Sequence, residues 1–257
     1  MRFLISFFLR KIPRKYLQLF SHVALRIISI FYIGNKVECP VCESTFRKFL
    51  PYGRKSRSNA LCPKCLTLER HRLIWLYLKR KTDFFTAPRK MLHIAPELCY
   101  MDRFEALDNL DYITADIESP LAKVKMDIHD IPFAENTFDV IFCNHVLEHV
   151  DDDLKALSEM KRVLKSGGWA ILQVPFFYPL PKVTLEDPSI TDPREREKIF
   201  GQDDHVRLYG EDYADRLRSS GFEIVEENLM DELGDREKER YALPAGEVIY
   251  KAVKSAS

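Results

Sequence analysis

Two cysteine pairs, Cys39-Pro-Val-Cys42 and Cys62-Pro-Lys-Cys65, stand nineteen residues apart. Each pair can form a tight knuckle. A hairpin through FRKFLPYGRKSRSNAL can bring the two knuckles together, which gives the ligand set and spacing of a four-thiolate zinc ribbon. A cation held by four protein ligands has no open position, so this site would be structural. Two disulfides or a redox C-x-x-C are the other readings. Disulfides rarely persist in a reducing compartment, and a Pro following the first cysteine of both pairs favours metal. Cys99 and Cys143 fall outside the set and read as ordinary buried thiols.

A second set consists of acids and small polar residues that end short apolar runs. Asp116 closes DYITAD, Asp127 follows KVKM, and Asn144 and His145 follow FDVIFC. An ionised carboxylate is the best acceptor for paired hydroxyls or an exocyclic amine. Asp at a strand end is also a common turn former or N-cap.

The elements that must position these residues follow from the pattern. Between Asp111 and Pro175, β-branched and aromatic runs alternate with turns and helical periodicity, a βα rhythm. FDVIFC and WAILQV are nearly continuously apolar, as expected of parallel strands buried on both faces. Ligands of such sheets bind beyond the carboxyl ends of the strands, which is where Asp116, Asp127 and Asn144 fall. Asp151-Asp152-Asp153 caps the helix LKALSEMKRVLKSGGW, and Gly167 and Gly168 are expected to stop it.

DIHDIPFAENTFDVIFCNHVLEHV followed by RVLKSGGW resembles the class I S-adenosylmethionine-dependent methyltransferases, most closely the branch often labelled type 11 that acts on small molecules. The resemblance runs from about Lys90 to Lys254. It implies an α/β fold: a Rossmann-like seven-stranded methyltransferase sheet, here with a small N-terminal zinc-ribbon domain. It further implies that Asp116 holds the ribose hydroxyls of S-adenosylmethionine and Asp127 receives the adenine amine. Ile128 flanks the adenine, Ile94 and Ile117 belong to the same cofactor-binding set, and Asn144 and His145 line the floor near the methyl group. An H-x-R element before the last helix corresponds to His205 and Arg207. The expected domains are a leader over 1–35, the ribbon and following helix over 36–82, and the methyltransferase domain over 83–257.

The chain departs from the family at the first turn, which reads His93-Ile94-Ala95-Pro96-Glu97 instead of Gly-rich. Glycine permits positive φ and close approach of the backbone to a cofactor, whereas Pro96 removes a donor. The favoured reading has Ala95 and Glu97 holding the methionine part in a rearranged turn, with Glu97 accepting from its ammonium. The alternative is that binding is weakened or lost. His145, Glu148 and His149 share one helical face in the H-x-x-E-H order of inverse zinc proteases. The metalloenzyme reading is set aside because the resemblance explains the pattern and no further ligand is evident.

PFFYPLPKVTLEDPSITDPREREKIFGQDDHVRLYG holds five prolines and reads as a long insertion. Loops of this length are usually functional lids, and Glu186, Asp187, His205, Arg207 and Tyr209 are expected to face the substrate. His145 or His205 could act as base where the acceptor must lose a proton, since imidazole titrates near neutrality.

Net charge is zero, yet residues 1–81 carry eighteen Lys and Arg against three Asp and Glu, so they hold +15 and the rest −15. Such asymmetry suggests a polyanionic partner; attraction between the two parts of the chain is the plainer reading. The first 35 residues interleave Phe and Leu with Arg and Lys and show neither a cleavage site nor an uninterrupted span. They suit the headgroup plane of an anionic membrane, or two short helices packed on the catalytic domain. The expected setting is cytoplasmic, with docking at the inner face of the membrane. The expected partner is a methyl acceptor among small molecules, glycans and lipid-linked molecules. Two other readings remain: an RNA methyltransferase, since a zinc knuckle beside such a domain also resembles the ribosomal RNA guanine methyltransferases, and a non-catalytic binding module.

Overall fold

The computed structural model describes residues 28–53 and 56–256. Residues 1–27 of the expected leader, and the ribbon cations Arg54 and Lys55, lie outside the described residues. The chain divides into two compact units. One comprises residues 1–83, 98–102 and 229–247, the other 84–97, 103–228 and 248–257. The second and third segments of the first unit come from the stretch expected to belong wholly to the methyltransferase domain.

In the first unit, β1 (Ile33–Cys39) pairs antiparallel with β2 (Ser44–Phe46), and β3 (Leu50–Tyr52) with β4 (Arg57–Leu61). The helix α1 (Glu69–Lys81) follows. Its Leu73, Ile74, Tyr77 and Leu78 are buried, and Lys79, Arg80 and Lys81 occupy the last turn, where cations complement the helix dipole. Arg72 is fully buried in this helix. Its Nη1 donates to the carbonyls of Ala60 and Thr67, and Nε and Nη2 donate to those of Tyr241 and Ala242. The guanidinium lies 4.5 Å from the centre of the Phe49 ring, a cation–π arrangement. Burial pulls its pKa down, opposed by the charge of the ribbon cysteines.

The second unit is built on a seven-stranded sheet. Its strands are β5 (Arg89–Ile94), β6 (Leu110–Asp116), β7 (Val124–Lys125), β8 (Phe138–Asn144), β9 (Leu164–Gln173), β12 (Glu223–Glu227) and β13 (Ile249–Val253). They lie in the order β12-β13-β9-β8-β5-β6-β7, with β13 antiparallel to both neighbours and the pairs among β5 to β9 parallel. The strand order changes direction between the paired strands β5 and β8, and ligands of such folds sit beyond the carboxyl ends of the strands at that switch point.

The remaining elements are α2 (Leu98–Glu105), which begins in residues of the first unit and ends in the second, and, within the second, α3 (Asp153–Val163), the short pair β10 (Leu185–Glu186) and β11 (Arg207–Leu208), α4 (Pro193–Phe200) and α5 (Tyr213–Ser219). The first unit is completed by α6 (Leu229–Glu232) and α7 (Asp235–Tyr241).

Several boundaries differ from those read in the sequence. Residues 83–89 are no loose linker, since Phe84 is fully buried against Phe104, Phe142 and Trp169. The helix α3 ends at Val163, ahead of the glycines. Gly167 and Gly168 instead sit in β9, where the register against β8 shifts between Phe138 and Val140 and Gly167 takes φ +75°. The hydrophobic run of β9 is strong enough to begin the strand at once, and the glycines accommodate the resulting bulge. The N-cap is as expected, with the Asp152 side chain accepting from the Lys155 N–H at 2.9 Å. The insertion after β9 is not structureless, because it contains α4 and the β10–β11 pair. Among the described residues no helix is long and apolar enough to cross a membrane.

Candidate functional site

Four strands of the second unit deliver the predicted cofactor residues to the carboxyl edge of the sheet. β5 ends at Ile94, and Ala95 follows it with φ +48°. The left-handed backbone that glycine would supply is therefore present without glycine, at a cost for an L-residue of roughly 1–2 kcal/mol. Pro96 falls one residue later, where its missing N–H does not interrupt the bond from the Ala95 N–H to the Ala115 carbonyl.

Glu97 is anchored from two sides: its Oε2 lies 2.5 Å from His93 Nε2, and its Oε1 accepts from Asn144 Nδ2 at 3.1 Å. His93 Nδ1 lies 2.8 Å from the Tyr112 hydroxyl. His93 is fully buried in β5. The chain Tyr112–His93–Glu97–Asn144 thus fixes the turn across three strands. In the sequence the only trace of this role for His93 is a His and a Glu four apart around the Ala-Pro turn.

Asp116 ends β6, and its Oδ1 accepts from the backbone N–H groups of Glu118 and Ser119. Oδ2 has no such bond among the described residues, so one oxygen builds the turn and the other can serve a ligand. The turn-forming and ligand-binding readings are compatible in this one carboxylate. Ile117 follows it, exposed, at the same edge. Asp127 lies two residues beyond β7, half-exposed, and accepts at Oδ1 from the backbone and ring of His129. The backbone N–H of His129 is the main influence holding its carboxyl below the ordinary range. Ile94 and Ile128 are buried in the core beneath this edge.

Asn144 ends β8 with its side chain buried. Its Nδ2 is used by Glu97, but its Oδ1 has no hydrogen-bond partner among the described residues. A buried carbonyl oxygen without a donor is costly, and a ligand ammonium or N–H would satisfy it. His145 follows with φ +55°, its N–H donating to the Gln173 carbonyl and its Nδ1 3.4 Å from Glu148 Oε1.

His205 is fully buried, with Nδ1 3.1 Å from the Phe200 carbonyl, and burial lowers its pKa. It is brought close to His149, the two ring centres 4.8 Å apart. The substrate-facing role expected for Arg207 and Tyr209 is corrected, since both are buried in a polar network. Arg207 Nη1 donates to the carbonyls of Leu147 and Val150, its Nη2 donates to that of Asp151, and its Nε reaches Glu186 at 3.2 Å. Tyr209 donates its hydroxyl to Asp153 at 2.7 Å. Asp187 accepts from Ser189 in its own exposed turn.

In the first unit the four ribbon cysteines converge, all four sulfurs within 4.8 Å of one another. Cys39 and Cys65 are 3.5 Å apart, and Cys42 and Cys62 3.8 Å. These separations are too long for a disulfide and match the edge of a sulfur tetrahedron around an ion with Zn–S bonds of about 2.3 Å, which is about 3.8 Å. Each knuckle closes in the same way. Glu43 donates back to the Cys39 carbonyl and Leu66 to that of Cys62, and both residues are left-handed, at φ +56° and +62°. Hydrogen bonds shared with Cys39 and Cys42 push the Cys62 and Cys65 thiols up. The Thr67 hydroxyl lies 3.1 Å from Cys39 Sγ and 3.3 Å from Cys65 Sγ. Cys99 and Cys143 are buried apart from this cluster, and burial pushes the Cys143 thiol up.

The open seven-stranded sheet with one antiparallel strand, and acids at its carboxyl edge, define the second unit as a Rossmann-like fold of the class I methyltransferase kind. Residues 91–172 match the family model described as a methyltransferase domain. The chain is 29% identical over 141 residues to the ubiquinone/menaquinone biosynthesis C-methyltransferase UbiE of Klebsiella pneumoniae, covering 54% of this chain and 50% of that protein. It is 35% identical over 85 residues to a tRNA U34 carboxymethyltransferase of Nautilia profundicola, covering 33% and 26%. The chain therefore spans half or less of these relatives' lengths. A solved S-adenosylmethionine-dependent methyltransferase from Mesorhizobium loti aligns with a TM-score of 0.45 at 12% identity, over 69% of this chain and 96% of that one.

Asp153 carries the prediction that this geometry generates. Burial opposes its ionisation, but hydrogen bonds from Arg216 and Tyr209 outweigh burial and hold its carboxyl below the ordinary range. A depressed folded pKa contributes stability that is present above the unfolded value, about pH 4, and is lost as pH falls through the folded one. Arg216→Ala should cost about 1.5–3 kcal/mol at neutral pH, the range for hydrogen bonds to a charged group, because Asp153 keeps the Tyr209 hydroxyl and has Arg207 Nε at 3.8 Å. It should also flatten the acid limb of the stability curve. Denaturant unfolding between about pH 3 and pH 7 checks this, and equal slopes in both proteins would refute it.

Proposed function

We propose that the chain is a methyltransferase that uses S-adenosylmethionine and acts on a small-molecule, glycan or lipid-linked acceptor. The observation that carries this reading is the carboxyl edge of the sheet. There a left-handed Ala95, a half-used Asp116 and the unpartnered Asn144 Oδ1 stand on adjacent strands of a methyltransferase fold.

The residues fit the cofactor as follows. Asp116 Oδ2 would accept from ribose hydroxyls, the exposed Ile117 and the buried Ile128 would give the adenine an apolar bed, and Asp127 would accept from its amine. Asn144 Oδ1 and the anchored Glu97 would accept from the ammonium. When bound, S-adenosylmethionine supplies a methyl carbon on a sulfonium, open to in-line displacement. For such a step the protein's main contribution is to hold the acceptor at attack distance. Where the acceptor must lose a proton, His145 is better placed than His205, because it is partly exposed at the end of β8 and His205 is sealed in.

The RNA reading is weakened by the ribbon itself. Phe46 and Phe49 are buried, which leaves Tyr52 as the exposed ring of the three, whereas single-stranded bases are gripped by exposed aromatic faces. We also infer that the ribbon holds one structural zinc ion on Cys39, Cys42, Cys62 and Cys65, and that residues 1–35 dock on anionic lipid.

Three outcomes are expected. Calorimetry should show S-adenosylmethionine binding, weakened in Asp116→Ala by about 1.5–3 kcal/mol, the range for hydrogen bonds to a charged group; an unchanged affinity would contradict the role given to Asp116. Cys62→Ser should release zinc and destabilise the first unit, because structural zinc contributes folding energy directly. A folded preparation free of metal would sink the zinc assignment. Full-length protein should sediment with vesicles rich in phosphatidylserine at low salt, release as ionic strength rises, and bind poorly without residues 1–35. Retention by structured RNA with a steep salt slope, and not by vesicles, would replace the lipid reading with the RNA one.

A further inference from the structure

Beyond the strand ends, a second group of ligating side chains converges that the cofactor reading does not use. One ligand atom each from Glu148, His149 and His205 lies within 4.8 Å of the others. Glu148 and His205 are at least 99% buried, yet Glu148 Oε2 and His205 Nε2 have no hydrogen-bond partner among the described residues. An unpartnered carboxylate oxygen next to an unpartnered imidazole nitrogen, both out of water, is a costly arrangement for a protein to keep.

The hydrogen bonds around the cluster aim lone pairs into it. His205 Nδ1 is 3.1 Å from the Phe200 carbonyl, which can only accept, so the proton sits on Nδ1 and Nε2 keeps its lone pair. His149 Nδ1 is 3.2 Å from the Asp204 carbonyl, which orients that ring the same way. Its Nε2 is 3.9 Å from Glu148 Oε1, and His145 Nδ1 is 3.4 Å from the same oxygen. A backbone carbonyl on the far nitrogen is the usual outer partner of a metal-bound histidine. The backbone is braced as well, by the Val206 N–H donating to the Glu148 carbonyl at 2.9 Å. Ligand atoms about 2.0–2.2 Å from one ion lie roughly 3–4 Å apart, so closing the set takes side-chain shifts of about an ångström.

We propose that Glu148, His149 and His205 bind a divalent first-row transition metal ion. Two imidazoles and one carboxylate suit zinc, cobalt, iron or manganese, and three protein ligands leave a coordination position for water or an acceptor oxygen. This differs in kind from the ribbon, where four sulfurs close the shell. The H-x-x-E-H order supplies two of the ligands on one turn, and the third comes from the segment leading into β11. The ion site stands on these side chains alone, so it is measurable whether or not S-adenosylmethionine binds.

Untagged full-length protein, dialysed against Zn2+ or titrated with Co2+, tests the proposal. Two equivalents of metal per chain are expected, the second giving visible cobalt bands without thiolate charge transfer. His149→Ala, at a partly exposed position, and the isosteric Glu148→Gln should each reduce the content from two equivalents to one and leave the thiolate band intact. Cys62→Ser should lose the other equivalent. A wild-type chain that saturates at one equivalent with full thiolate charge transfer would overturn the proposal. So would a second equivalent that persists in both His149→Ala and Glu148→Gln.

Discussion

The second unit depends on where one buried guanidinium sends its protons. Arg207 has three backbone carbonyls of the turn after β8 as acceptors, those of Leu147, Val150 and Asp151, together with the Glu186 carboxylate. A turn that leaves a parallel strand carries carbonyls that no ladder satisfies, and burying them unpaired would be costly. The five donors of arginine in a fixed fork answer several of them at once. Because Arg207 is in β11, the same bonds fasten the insertion over the end of β8. His205, two residues earlier, is carried to Glu148 and His149 as a consequence.

Two residues at the strand ends show how the edge is shaped. Ala95 and His145 follow β5 and β8, the central pair of the sheet, and both are left-handed. Each left-handed residue turns the backbone sharply at the carboxyl end of its strand, where the strand order switches direction. The strain is held by neighbours that fix the turns independently: the Ala115 carbonyl under Ala95, the Gln173 carbonyl under His145, and the Glu97–Asn144 bond between the two strands. Strain at ligand-binding turns persists only when the surroundings determine it in this way.

What the sequence made legible was mostly periodic or local. The strands β5, β6, β8 and β9, the Asp152 cap and the duplicated cysteine knuckles follow from runs and spacings that act within a few residues. The shape of the Gly-less turn did not follow, because a left-handed alanine is set by its bonds to β6 and not by its own preference. Nor did the roles of Arg207 and Tyr209. An arginine and a tyrosine in a polar, Pro-rich stretch look solvent-exposed, and only the carbonyls of a distant turn and the Asp153 carboxylate explain why both are buried. The convergence of His205 on Glu148 and His149 was hidden for the same reason, since the H-x-x-E-H turn offers no hint of a partner beyond β9.

Arg72 carries a different kind of consequence. Two of its carbonyl acceptors, Ala60 and Thr67, are close in sequence, whereas the other two, Tyr241 and Ala242, follow it by 169 and 170 residues. At translation speeds of about 5–20 residues per second, the second pair leaves the ribosome on the order of 10 to 30 seconds after the first. Throughout that interval the nascent ribbon must carry a cation whose burial is only half satisfied. Completion of this unit therefore waits on residues synthesised long after its cysteine knuckles, and its maturation is timed by the emergence of Tyr241 and Ala242.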